Sequence, residues 1–222
     1  DYKLTATNRG GHSSAPRPDN AIYALAQALS ALERHRFTPM LNEATRASFA
    51  LQAEKDGGRM GELIRRFLAD PDDRETADLL EAFDPGYTRT RCVATMLSGG
   101  HAPNALPQKA EATVNCRIFP GVSVEAVRQQ LQAISGPDVA VTVVPGTQTP
   151  ETSATPIRQD IVEAYRAAVA TRFKDAPILP FQSAGATDGA FLRANGIPVY
   201  GFGGLWSIVG EREGVHGLDE RV

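Results

Sequence analysis

The hydrophobic positions along the chain change period several times, and each change predicts an element. Tyr2 to Asn8 reads as a strand, with Leu4 flanked by the β-branched Thr5 and Thr7. After a polar loop, Ile22, Leu25, Leu29 and Leu32 repeat at three and four residues, the spacing of one helix face, with Asp19 or Asn20 placed to cap it. Strands are predicted over Arg91 to Leu97 and Ala110 to Phe119. In the second, Ala112, Val114, Cys116 and Ile118 alternate with Thr113, Asn115 and Arg117, so one face is buried and the other carries polar groups. Ser123 then caps a helix whose stripe is Val124, Val127, Leu131 and Ile134, and Val139 to Val144 forms a last strand.

Between the first helix and the second strand, residues 37–90 break this rhythm. Glu62 to Ala69 and Glu75 to Phe83 read as short amphipathic helices separated by Asp70-Pro71-Asp72-Asp73, as expected of a helical insertion. The order strand, helix, insertion, strand, strand, helix, strand is that of a ferredoxin-like split βαβ fold, an α+β arrangement. A Thr- and Pro-rich linker follows over 147–155. Beyond it a helix is predicted from Thr155-Pro156, strands over Ile178 to Phe181 and Ile197 to Phe202, and a helix ending at Gly196. That αβαβ tail is too short for an independent α/β domain and reads as half of one. The expected organisation is therefore one unit over 1–146, with its insertion at about 37–90, and a partial α/β unit over 147–222.

Composition narrows the possible functions. With 42% hydrophobic and 22% charged residues and a net charge of −3, the chain has neither the basic excess of a nucleic-acid binder nor an apolar run long enough to cross a bilayer. The two cysteines, Cys92 and Cys116, are too few for a zinc cluster and are expected to be buried reduced thiols. The four histidines His12, His35, His101 and His216 lack a second His or Cys at ligand spacing, and no nucleophile elbow or phosphate-binding glycine loop is present. Ser13 and Ser183 have no partner arrangement of the Ser-His-Asp kind.

Five short segments nevertheless fall in a recognisable order. They are Gly10-Gly11-His12-Ser13-Ser14-Ala15-Pro16 with Asp19-Asn20-Ala21-Ile22, His101-Ala102-Pro103-Asn104-Ala105-Leu106-Pro107, the strand from Ala112 to Pro120 with Arg117, Gly185-Ala186-Thr187-Asp188, and Val215-His216-Gly217-Leu218-Asp219-Glu220. Together they resemble the lid domain and the carboxy-terminal part of the catalytic domain of M20 metallopeptidases and amidohydrolases. The insertion and the Ala-Thr-Asp-Gly form of the turn are similar to the carboxypeptidase S-like branch.

The resemblance implies a hydrolase of peptide or N-acyl amino acid amide bonds, dependent on two zinc ions, that dimerises through its lid. It implies that His216 is a metal ligand, although alone it could equally be a surface histidine bonded to Asp219 or Glu220. It implies that His12 reaches the active site of a partner subunit and donates to the oxyanion. Asn104 and Arg117 would bind the carbonyl and free carboxylate of the substrate, and Gly185 and Thr187 belong to the substrate turn. A cross-strand salt bridge is the simpler alternative for Arg117. Asp188 is expected to cap its helix, and His35 and His101 are expected on the surface.

The sequence contains no His-x-Asp and no Glu-Glu pair, which family members carry before the lid to hold metal and supply the general base. The expectation is therefore a fragment whose metal-binding half precedes Asp1, inactive on its own and of unassigned compartment. The competing reading is a non-catalytic ferredoxin-like module that dimerises or binds a small ligand at its open sheet edge.

Overall fold

A computed structural model describes residues 1–83 and 86–202. Its centre is a four-stranded antiparallel sheet of β1 (Tyr2–Thr7), β3 (Arg91–Gly99), β5 (Lys109–Arg117) and β6 (Val139–Val143), in the order β3-β5-β1-β6. That order is the ferredoxin-like one expected from the sequence. Two helices, α1 (Ala21–Arg34) and α5 (Val124–Ser135), cover one face. The alternation along β1 and β5 has the predicted effect: Tyr2, Leu4, Ala6, Ala110, Ala112 and Val114 turn inward and pack with Leu25, Leu32, Val127 and Leu131 from the helices. Lys3, Thr5, Glu111, Thr113 and Asn115 occupy the other face.

The caps explain where the helices begin. The Asn20 side chain accepts from Ile22 N at 2.9 Å and Tyr23 N at 3.3 Å, while Asp19 is taken up by Arg17 and Asn8. Ser123 Oγ accepts from Ala126 N at 3.1 Å, and Val124 N donates to Glu151 Oε1 at 2.7 Å from the linker. The buried stripe of α1 is rotated from the predicted one. Ala21, Leu25, Ala28 and Leu32 are inside, whereas Ile22 is exposed beside Gly99. The close sheet-to-helix packing selects the small alanines for the inner line.

The insertion contains three helices where the sequence predicts two: α2 (Glu43–Lys55), α3 (Arg59–Ala69) and α4 (Arg74–Phe83). The first escapes a periodicity reading because its inner face includes Thr45 and Ser48 beside Phe49 and Ala53. Its start is fixed by a capping box, in which Thr45 N donates to Asn42 Oδ1 at 2.9 Å and Asn42 N donates to Thr45 Oγ1 at 3.0 Å. The three helices have their own core, where the ring of Phe49 meets Phe67 at 5.9 Å and Tyr87 at 5.6 Å, both edge to face. Gly61 is enclosed at the α2–α3 corner, where an added Cβ would lie 1.8 Å from the Asp56 carbonyl oxygen.

Two expectations require correction. Cys92 and Cys116 are not free thiols: they stand opposite one another on β3 and β5, with Cα atoms 4.1 Å apart, and form a disulfide. A sequence separation of 24 conceals a cross-strand contact that only the register creates. The tail also departs from its αβαβ reading. It holds α6 (Gln159–Ala170) and α7 (Gly189–Ala194), but 178–181 and 197–202 form no strand among the described residues. A strand requires a neighbour to receive its backbone hydrogen bonds, and none among the described residues pairs with these segments. The helix predicted from Thr155-Pro156 starts later, with Arg158 at its N-cap position.

Two stability predictions follow from this packing. Alanine is the better helix former, yet Gly61→Ala should destabilise the insertion by about 1–3 kcal/mol in a urea melt, because the methyl overlaps backbone and not a movable side chain. Reducing the disulfide, or replacing both cysteines by serine, should cost about 3 kcal/mol through the entropy of a loop of this length. Two free thiols in the native, unreduced protein would contradict the cross-link.

Candidate functional site

The site residues anticipated from the sequence lie at two opposite ends of strand β5. At its amino-terminal end, β2 (Gly11–His12) pairs antiparallel with β4 (Ala105–Leu106), bringing the glycine-histidine loop and the asparagine-proline loop together. Asn8 N donates to Gln108 O at 2.8 Å, and Ser13 N donates to Asn104 O at 2.9 Å. His12 and Asn104 are thus neighbours, both exposed. Gly10, at φ 78°, adopts a backbone conformation that side chains disfavour, and a Cβ there would meet Gln108 Cγ at 2.9 Å. A glycine is therefore needed for the loop to lie against its partner.

The orientation of the imidazole has a local cause. Ser14 N donates to His12 Nδ1 at 3.2 Å, and the Ser14 hydroxyl lies 2.8 Å from the same nitrogen. A nitrogen that accepts from a backbone N–H carries no proton, so neutral His12 bears its proton on Nε2, which points away from the loop as a donor. The Asn104 side chain makes no hydrogen bond among the described residues. Beside it, Ile22, Gly99, His101, Pro103, Ala105 and Pro107 line an open depression of about 580 Å³. His35, expected on the surface, is half-buried: its ring stands on Phe37 at 4.8 Å, Nε2 lies 3.1 Å from Gln130 Nε2, and burial lowers its pKa.

Arg117 lies at the other end, roughly 27 Å away along nine residues of strand. It is exposed and has no ion pair among the described residues. The cross-strand salt bridge is excluded by the register, which puts Arg91 directly opposite. Arg91 Nε instead binds Glu81 Oε1 at 3.1 Å. Two like charges at opposed strand positions favour an anion between or beside them, and Glu81 supplies one to Arg91. Arg91 is a candidate that pattern reading missed, because its importance depends on register alone.

The turn with Gly185 and Thr187 lies near this second end. From Arg91 the chain of contacts runs through Glu81 to Gly86, whose N–H donates to Glu81 Oε1 at 2.8 Å, and a Cβ on Gly86 would meet Ala184 Cβ at 2.8 Å. Thr187 O accepts from Ala190 N at 3.2 Å as α7 begins. Asp188 occupies the N-cap position of that helix, but its side chain makes no capping bond. Gly189 is enclosed, with Val199 Cγ1 at 2.9 Å from where a Cβ would stand. His216 lies outside the described residues. Among the described residues no three His, Cys, Asp or Glu side chains are grouped to hold a metal ion.

Known proteins are similar to this chain in sequence and in fold. The chain is 34% identical over 144 residues to the probable carboxypeptidase S-like 2 of Dictyostelium discoideum, an alignment covering 62% of this chain and 26% of that protein. It is 25% identical over 228 residues to the N-fatty-acyl-amino acid synthase/hydrolase PM20D1.1 of Danio rerio, covering 99% of this chain and 43% of the relative. The chain thus spans less than half the length of these relatives. In fold it is similar to the M20 family metallo-carboxypeptidase Sso-CP2 of Sulfolobus solfataricus, with a TM-score of 0.55 at 19% identity over 89% of this chain and 55% of that one. The model of the peptidase dimerisation domain of M20 enzymes matches residues 1–142, the span of the sheet, its two helices and the insertion, and the chain belongs to that family.

Proposed function

We propose that this chain is the lid, residues 1–146, and a carboxy-terminal part, residues 147–222, of an M20 enzyme that hydrolyses peptide or N-acyl amino acid amide bonds. A place in the carboxypeptidase S-like branch is supported by relatives named for carboxypeptidase S and for N-fatty-acyl-amino acid synthesis and hydrolysis that align with it. The observation that carries the proposal is the separation of the candidate residues. His12 and Asn104 stand at one end of β5, and Arg117, Gly185 and Thr187 at the other. One copy cannot bring both groups to a single small substrate; a second copy can, by offering its His12 end to the Arg117 end of the first.

Each group suits its proposed part. The Arg117 fork, with Arg91 opposite, fits a free carboxylate, and the backbone around Gly185 and Thr187 fits the body of the substrate. From the partner, His12 Nε2–H donates to the oxyanion formed when water attacks the amide carbon, and Asn104 to the carbonyl oxygen. Zinc belongs to this chemistry in the family, with His216 the ligand proposed here. The described residues do not assemble a donor set for zinc, so no step is derived through the metal.

The surface for a second copy is the edge strand β3. It leaves Val93, Met96 and Leu97 61%, 68% and 71% exposed on a strand whose outer edge has no partner among the described residues, next to the exposed Ile22 and Tyr23 at the start of α1. A row of free backbone groups flanked by apolar side chains is suited to pairing with another strand.

Sedimentation should accordingly find a dimer, converted to a monomer with an unchanged circular dichroism spectrum by Leu97→Asp. A strict monomer at high concentration would remove the basis for a shared site. In the active enzyme carrying this chain, Arg117→Ala should raise KM for carboxylate-bearing substrates about 10- to 100-fold, the worth of a charge-assisted hydrogen bond. Undiminished activity on those substrates would rule out the carboxylate clamp.

A further inference from the structure

The helical insertion has no part in the reading above, yet it makes the most specific contacts of the tail. Residues 177–188 include no helix or strand, so side chains must fix their path. Gln182 bonds to the insertion three times. Its Oε1 accepts from Asn42 Nδ2, its Nε2 donates to Gly86 O at 3.3 Å, and its backbone N–H donates to Tyr87 Oη at 3.2 Å. On either side, the Phe181 ring lies 5.7 Å from the Tyr87 ring, and Ala184 rests against Gly86 so closely that no side chain fits between. A separate bond joins the start of α2 to the segment just before α6, where Ile157 N donates to Glu43 Oε2 at 2.9 Å.

These partners are rigid. Asn42 is held by the capping box of α2, so the amide that binds Gln182 also starts a helix. Tyr87 is buried in the insertion core against Phe49. The base of the insertion is closed by Met40 N donating to Thr88 O at 2.6 Å and tied to the sheet by Phe119 N donating to Thr90 Oγ1 at 3.0 Å. Thr88 Oγ1 in turn donates to Glu81 Oε2, the carboxylate that also holds Arg91. A single framework thus holds the Arg91–Arg117 end of the sheet and the residues leading into the turn at 185–188.

We infer that the insertion is a positioning clamp for substrate binding: Asn42, Gly86 and Tyr87, through Gln182, set the place of the Gly185–Thr187 turn relative to Arg117. The function of the clamp rests on the proposed reading of that turn as a substrate contact. Asn42, Tyr87 and Gln182 touch no substrate themselves; they fix the distance between two groups that do. An enzyme without this insertion would have to hold the turn by other means, and a change in the insertion would alter which substrate lengths span from the turn to the arginine pair.

Two measurements test this separately. Asn42→Asp keeps the oxygen that caps α2 and replaces the NH2 that donates to Gln182 with a charged acceptor oxygen facing Gln182 Oε1; Gln182→Ala removes the side chain altogether. In this chain, chymotrypsin cleavage after the exposed Phe181 should accelerate about fivefold for each hydrogen bond lost, with the helix signal unchanged. Equal cleavage rates in the wild type and both variants would overturn the clamp. In the active enzyme carrying this chain, the same variants should raise KM severalfold with kcat nearly constant, and Thr187→Ala should raise KM as well. Faster cleavage with unaltered KM, where Thr187→Ala does raise KM, would show that the contacts hold the segment without positioning substrate, and would overturn the inference. If Thr187→Ala also left KM unaltered, the substrate reading of the turn would fail, and the positioning role with it.

Discussion

Strand β5 is paired on both sides over more than half its length, with β1 over Lys109 to Val114 and with β3 from Ala110 to Arg117, and nearly every other feature depends on that double register. A slip of one residue would turn Ala110, Ala112 and Val114 to the open face and bring Glu111 and Thr113 into the core. Burial of the apolar set against α1 and α5 therefore fixes the pairing. Once fixed, the pairing also decides contacts that have nothing to do with burial. It sets Cys92 against Cys116 on the helix-covered side and Arg91 against Arg117 on the other.

The same strand acts as a spacer. Its two ends carry different chemistry, an imidazole and an amide at one and two arginines at opposed strand positions at the other, and a strand is too stiff to bring them together. The dimeric character of the family thus has a geometric counterpart here. On the proposed reading, a site divided between the ends of a strand is completed by a second molecule or not at all. The exposed apolar edge of β3 would be a liability in a monomer and becomes useful when a second strand covers it.

The insertion follows a different logic. It has its own core and capping box, and it is attached to the sheet near the arginine end. Its aromatic and amide side chains continue outward to the segment before the Gly185 turn. Local helix packing is in this way transmitted to a backbone path that has no regular secondary structure. Gly86 and Gly61 are the positions where packing tolerates least, each facing an atom that cannot give way cheaply.

Much of this was legible in the sequence. The alternation in β1 and β5, the stripes of α1 and α5 and the capping residues Asn20 and Ser123 are local signals, set by the period of a strand or helix and by the reach of a short polar side chain. They suffice for the ferredoxin-like order, and the ordered glycine, asparagine, arginine and threonine segments suffice for the family. What the sequence could not supply was contact between distant residues. Helix α2 carries polar residues on its inner face and shows no clear stripe, so periodicity does not reveal it. The disulfide and the Arg91–Arg117 pair result from cross-strand register, and the clamp on Gln182 from the docking of two segments nearly a hundred residues apart in sequence. Periodicity reports which side of an element faces inward; only the tertiary structure decides what it meets there, because that meeting depends on register and packing, which no single segment encodes.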